Sequence, residues 1–181
     1  MPGFAERIKQ HDKLALEAVR AVLAGRGIKL HPSGGELSPV LHKELRFIGN
    51  GTSKMLRYRP DQVAVIPGKK ALLLEIKSEA GGSPNFSVEL DAWEAAKIWN
   101  RNGRHVLYVF ADLKSGSVFG AWPEEIFPSR IFVPRSADLK RVAAYPGVPV
   151  RRVAVRGSGT AFFLVKKKNL CSLESTLDNL G

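Results

Sequence analysis

The sequence predicts an α/β fold: a mixed central β-sheet flanked by helices, with an extra β-hairpin and a C-terminal extension. Three observations carry that expectation. Two short apolar runs, Gln62–Ile66 and Ala71–Leu74, are split by Pro67-Gly68 and read as adjacent strands of a hairpin. The unbroken Leu72-Leu73-Leu74 implies a strand buried on both faces, hence central in its sheet. A helical repeat over Ser87–Asn102, followed by the apolar run His105–Phe110, adds the strand-helix-strand order of a crossover between parallel neighbours. At 181 residues the chain suits one domain with a real core. Residues 1–125 are expected to form that core, with a hairpin inserted around residues 44–58. Residues 126–181 are read as an extension, a hairpin plus a terminal helix, packed on it.

Residues 4–25 form the first helix. Ile8, His11, Leu14, Ala15, Ala18, Val22 and Leu23 fall on one helical stripe, and Gly25 and Gly27 end it. Ile28-Lys29-Leu30 steps into a strand, and His31-Pro32-Ser33-Gly34-Gly35 is a loop. In residues 36–58, Leu45–Ile48 and Met55–Tyr58 flank Asn50-Gly51, a hairpin signal. Lys43, Arg46, Lys54, Arg57 and Arg59 make that segment basic, as expected of a hairpin reaching toward a polyanion. After the Gln62–Leu74 hairpin, Ser87 is placed as the N-cap of the second helix. Glu89, Asp91 and Glu94 load its first turns with the sign its dipole favours, while Val88, Ala92, Ala95 and Trp99 form its core face. Gly103 ends it. Phe119–Trp122 is read as a strand at the sheet edge, and residues 123–150, with five prolines, as mostly loop. Val150–Val155 and Thr160–Val165 flank Arg156-Gly157-Ser158-Gly159 as a second hairpin. It leads into Lys166-Lys167-Lys168 and a terminal helix carrying Leu170, Leu173 and Leu177.

Charges at the end of a buried strand need a reason, and this chain has them. Arg59-Pro60-Asp61 opens the first strand of the central hairpin, and Glu75-Ile76-Lys77 ends the second, fourteen residues after the aspartate. On a strand, residues i and i+2 share a face, so Glu75 and Lys77 project together while Ile76 points the other way. Two carboxylates converging on one face offer hard oxygens to Mg²⁺ or Mn²⁺. A lysine beside them can hold an attacking water or the phosphate being cut. That combination suits phosphodiester hydrolysis. A surface hairpin with solvated charges is the plainer alternative.

Pro60-Asp61 followed by Glu75-x-Lys77 resembles the signature of the PD-(D/E)xK nucleases, which include restriction enzymes, archaeal Holliday-junction resolvases and repair nucleases. The resemblance covers residues 12–112 and is most like the archaeal-type resolvases. It implies a restriction-endonuclease-like core and an Mg²⁺-dependent endodeoxyribonuclease, with Mn²⁺ able to substitute, acting on branched DNA of the Holliday type. The metal set it implies is Asp61, Glu75, the Ile76 carbonyl and Glu17 of the first helix, with Asp12 as the rival of Glu17. A plain solvated role for Glu17 is the alternative. Lys77 would orient the water. Many relatives carry a glutamine near the start of the second helix, where this chain has Glu89 or Asp91. Glu89 therefore joins the catalytic candidates, or else only caps the helix. Ser33 with Gly34-Gly35 resembles the serine-glycine loop near the phosphate, with His31 in place of an arginine. Such resolvases act as homodimers, so a homodimer is implied. Phe162, Leu164, Leu170, Leu173 and Leu177 would either form its interface or cover the sheet. A restriction or repair endonuclease of the same superfamily, or a non-catalytic DNA-binding protein, are the alternatives.

Composition agrees. Lysine and arginine number 28 against 17 aspartates and glutamates, leaving a net charge of +11, the footprint of a polyanion binder. Ser33, Lys54, Arg57, Arg59, Arg151, Arg152, Lys166, Lys167 and Lys168 are the candidate DNA contacts. The single cysteine, Cys171, excludes an intrachain disulfide and fits a reducing compartment. No apolar run has membrane length and the N-terminus has no signal-peptide pattern, so a cytoplasmic location is expected. The four histidines lack zinc spacing, no Gly-Lys-Ser/Thr phosphate loop follows a glycine run, and no Gly-x-Ser-x-Gly elbow is present.

Overall fold

A computed structural model describes residues 4–33, 58–68, 71–135, 142, 144–154 and 160–179. Along them run α1 (Phe4–Ala24), β1 (Lys29–Pro32), β2 (Gln62–Val65), β3 (Ala71–Glu79), β4 (Asn85–Glu89) and α2 (Leu90–Arg101). Then come β5 (Val106–Asp112), β6 (Ser117–Ala121), β7 (Arg130–Pro134), β8 (Val150–Val153), β9 (Phe162–Lys166), β10 (Cys171–Ser172) and α3 (Leu173–Asp178). The central sheet is mixed and flanked by helices, in the order β1-β2-β3-β5-β6-β10. Only β3 and β5 in it are parallel, as the crossover through α2 requires. All seven residues of β5 are buried, which is why its sequence is apolar without alternation.

Each face of this sheet has its own core. On one, Val19 and Leu23 of α1 and Leu173 and Leu177 of α3 pack on Ala64, Leu72, Leu74, Leu107 and Val109. On the other, Trp93 and Ala96 of α2 and the inner face of a second sheet, Phe86, Ile131, Val133 and Phe163, cover Val106, Tyr108 and Phe110. That second sheet has the order β4-β9-β7-β8.

Several expectations are corrected. The second helix begins at Leu90, not Ser87. Asn85–Glu89 alternates buried Phe86 and Val88 with more exposed neighbours, a period of two that makes it a strand, and Glu89 is the N-cap without a side-chain capping bond. Residues 123–150 hold a strand, β7, because Ile131 and Val133 alternate into the core. β8 and β9 do not form a hairpin: β7 lies between them, parallel to β8 and antiparallel to β9. β6 is not the sheet edge, since β10 pairs with its far side. The terminal helix starts at Leu173, where the Ser172 hydroxyl caps it by accepting the Ser175 N–H at 3.1 Å, so Leu170 lies outside it. On α1, Ile8 and Leu14 are 44% and 42% exposed, and Val19 takes the core position. Leu173 and Leu177 are core residues of the monomer and are not available to a dimer interface. The C-terminal residues are woven into both sheets, β9 against β4 and β10 against β6. The inserted hairpin, with Lys54 and Arg57, lies outside the described residues apart from Tyr58. No helix among the described residues is long and apolar enough to cross a membrane.

Candidate active site

β2 and β3 pair antiparallel from Gln62↔Leu74 to Val65↔Ala71. One residue further on, the register sets Asp61 across from Glu75, at the end of β2 where β3 runs on alone toward Glu79. Two bonds fix the approach to Asp61: the Ser33 N–H donates to its carbonyl at 3.1 Å, and the Ser33 hydroxyl donates to the Pro60 carbonyl. The Ile76 N–H, left without a strand partner there, donates to Asp61 Oδ2 at 2.9 Å. Asp61 is exposed, and this bond holds its carboxylate against β3.

Glu75 and Lys77 share one face of β3, and Lys77 Nζ is 2.7 Å from Glu75 Oε1. Both side chains are partly buried, 12% exposed at Glu75 and 26% at Lys77. Burial raises the Glu75 carboxyl above its ordinary range, Lys77 opposes that, and the charges of Asp61 and Glu89 add to it. For Lys77, burial works against the ammonium, but Glu75, Asp61 and Glu89 outweigh it and hold the proton above the usual lysine range. Lys77 is thus a fixed positive charge.

α1 supplies the remaining acid. Asp12, Lys13, Ala15 and Leu16 line a cavity of about 460 Å³ with Asp61, Gln62, Ile76, Lys77 and Ser78. Burial raises the Asp12 carboxyl and Asp61 raises it further, against the pull of Lys77 and His11, so Asp12 is within reach of the same charges. Glu17 is not brought to the site: its side chain is 54% exposed and lies 3.9 Å from Lys13. Five residues separate it from Asp12, which at 3.6 residues per turn is a rotation of about 140° around the helix. The sheet-facing stripe Asp12, Ala15, Leu16, Val19 and Leu23 excludes Glu17.

Glu89 stands at the junction of β4 and α2, where the Thr160 hydroxyl donates to its Oε1 at 3.3 Å, and its charge bears on Glu75 and Lys77. Asp91 accepts the Tyr58 hydroxyl at 3.2 Å. One residue was missed from sequence. Tyr108 is fully buried on β5, in register with Glu75, and its hydroxyl has no hydrogen-bond partner among the described residues. Burial first, then Glu75, Glu89 and Asp61, hold its proton on. A tyrosine inside Val-Leu-Tyr-Val-Phe, one strand from a carboxylate, was the available signal.

Among the described residues, no three His, Cys, Asp or Glu side chains stand close enough together to hold a metal in this conformation. The donor chemistry nonetheless fits a hard divalent cation: burial and then the charge of Asp61 disfavour the ionised forms of both Asp12 and Glu75, and a cation held by them would relieve that repulsion.

The candidate DNA contacts divide. Ser33 and Arg59 adjoin Asp61 and are partly buried, while Arg151, Lys166 and Lys168 are exposed. Arg152 is exposed too, with Nη1 donating to the Arg135 carbonyl at 2.7 Å. Lys167 is held between acids instead: its ammonium lies 2.6 Å from Asp112 Oδ2 and 3.1 Å from Glu79 Oε2, over the Phe86 ring.

No protein-family model matches the sequence, and no curated protein matches it. Among solved structures, the chain is similar to a Holliday junction resolvase of Archaeoglobus fulgidus, an archaeal hyperthermophile. That similarity has 10% identity over 90% of this chain and 96% of the other, with a TM-score of 0.48. It is also similar to a nuclease from a fusselovirus, at 14% identity over 97% of this chain and 91% of the other, with a TM-score of 0.41. The site itself rests on this chain's own geometry.

Proposed function

We propose that the chain is a metal-dependent DNA endonuclease of the PD-(D/E)xK type, using Mg²⁺ or, in its place, Mn²⁺. The observation that carries this reading is the gathering of Asp61, Lys77 and Asp12 on one cavity, with Glu75 held 2.7 Å from Lys77. Asp61 and Glu75, with the Ile76 carbonyl and Asp12 in the place first given to Glu17, would hold the ion. The ion, when bound, supplies Lewis-acid polarisation of the phosphate and a water of lowered pKa. The chain's own contribution is positional. Asp61 is oriented by the Ile76 N–H, and Lys77 places a permanent positive charge where negative charge develops on the phosphate. Glu75 keeps that ammonium pointed into the site. The net charge of +11 draws the polyanion in.

Four-way DNA is the lead substrate and a homodimer the lead assembly, because Ser33-Gly34-Gly35 and the Asp61, Glu75, Lys77 spacing are most like the archaeal-type resolvases. The test is a panel of four-way junction, Y-fork, duplex and single strand, incubated with Mg²⁺ or with EDTA. Cleavage is expected only with the metal, first on the junction as paired symmetric nicks. Asp61→Ala and Glu75→Ala should abolish it while binding in Ca²⁺ persists. Undiminished turnover in EDTA, or in either variant, overturns the assignment. Equal cutting of duplex by a monomer gives the case to a restriction or repair enzyme.

A further inference from the structure

The outer face of the second sheet belongs to neither core. On β7, β9 and β4 the residues alternate, so Arg130 and Phe132, Phe162, Leu164 and Lys166, and Ser87 and Glu89 point away from the buried side. The strand registers align them into rows. Glu89 faces Phe162, Phe162 faces Phe132, and Phe132 faces Arg151. The two phenyl rings stack at 4.9 Å between centroids and 10° between planes, and neither packs against either hydrophobic core. Arg130, Arg151 and Lys166 around them are exposed. The row starts at Glu89, at the junction of β4 and α2, and β4 packs against β3, the strand that carries Glu75 and Lys77. It ends three strand spacings away, about 14 Å at the usual interstrand distance.

We propose that this row is a stacking platform for unpaired bases of a DNA strand entering or leaving the site, with Phe132 and Phe162 under the bases and Arg130, Arg151 and Lys166 on the phosphates. Flat aromatic rings between cations suit single-stranded nucleic acid: every base has a π-face, and each phosphate needs a counter-charge. A duplex keeps its bases stacked on one another and gains nothing from the rings. The inference rests on the nuclease reading for its direction and narrows the substrate to DNA with unpaired bases beside the cut, as branch points provide.

The experiment uses the full chain without divalent metal. Affinity for a labelled single strand and for the matching duplex is measured by fluorescence anisotropy in the wild type, Phe132→Leu, Phe162→Leu and Arg151→Glu. Phe127→Leu serves as the control, an exposed aromatic off the row. Each ring variant should lose about fivefold or more in single-strand affinity, Arg151→Glu should also weaken it, and Phe127→Leu should not. Leucine keeps apolar volume, and thermal melts check the fold. Should a variant fail to fold, 5-iodouracil placed in the strand is photo-crosslinked to the wild type, with Phe132 or Phe162 expected as the adduct. Single-strand affinity unchanged within twofold in both ring variants, or adducts only elsewhere, overturns the platform. Wild type that binds the strand on these rings yet cuts no DNA with Mg²⁺ overturns the nuclease reading and leaves the platform standing.

Discussion

Asp12 and Glu17 lie on one helix and differ in what they see. Asp12 looks into the cavity that Asp61 and Lys77 line, and Glu17 into solvent beside Lys13. Asp12→Ala should therefore reduce Mg²⁺-dependent cleavage on the order of a hundredfold. Glu17→Ala should leave it within about twofold, since an exposed i,i+4 pair contributes little. Single-turnover rates on one substrate decide it, and the reverse ranking would return Glu17 to the site. Much of this centre was legible in the sequence, because Asp61, Glu75 and Lys77 are fixed by hairpin register and strand alternation, both local. Asp12 needed the helix phase relative to the sheet, which periodicity gives only to within a residue. Tyr108 needed to be known as the neighbour of Glu75 across a parallel pairing, which no local pattern contains.

At the scale of elements, what the sequence hid follows from the same division. The β2–β3 hairpin, α1 and β5 were legible because each carries its own pattern. β4 was absorbed into the helix after it, since Ser-x-x-Leu with early acids reads equally as a cap. Its period of two spans only five residues, and pairing with β9 selects the strand. β7 was lost among prolines because Pro134 closes it and the strand is short. One contact tests how α3 is seated. A Cβ on Gly120 of β6 would meet Thr176 Oγ1 at 2.9 Å and Leu173 Cδ1 at 3.2 Å. Thr176 Oγ1 lies 3.1 Å from the Gly120 carbonyl, so the helix has no room to retreat without losing that bond. Gly120→Ala should cost about 1–3 kcal/mol of stability by overpacking, read by urea denaturation. An unchanged midpoint would mean that α3 shifts freely on the sheet.

At the scale of the molecule, Lys167 ties the sheets together, reaching from the end of β9 to Glu79 on β3 and Asp112 on β5. Burial alone would raise both acids, but the Lys167 ammonium and nearby N–H groups hold them below their ordinary ranges. Burial would likewise lower Lys167, and the two acids hold it up. The acids' contribution is therefore full above the unfolded carboxylate range and lost as pH falls through their lowered values. The lysine's contribution is full below the unfolded lysine range and lost as pH rises through its raised value. Lys167→Met should destabilise the fold by about 2 kcal/mol at pH 7, a magnitude typical of hydrogen bonds to charged groups. That difference should shrink below about pH 3, well under the ordinary carboxylate values. Melts of both proteins at the two pH values test this, and a pH-independent gap would assign the loss to packing instead.

The weaving of β9 and β10 into sheets begun much earlier in the chain also sets an order in time. The hairpin bearing Asp61 and Glu75 is local and can close as soon as it is made. β4 must wait for β9, and the outer side of β6 for β10. Such high contact order slows folding and delays the native core during synthesis. A growing chain translated only as far as β8 has its two acids side by side while Phe86 and Phe110, normally packed on each other between the two sheets, remain in water. We expect compaction on the ribosome only after residues 162–178 emerge, so that the candidate site acquires its rigid frame at the final stage. Arrest-peptide force profiles of stalled chains would record that late step, and an early one would show that the central sheet folds without its partner.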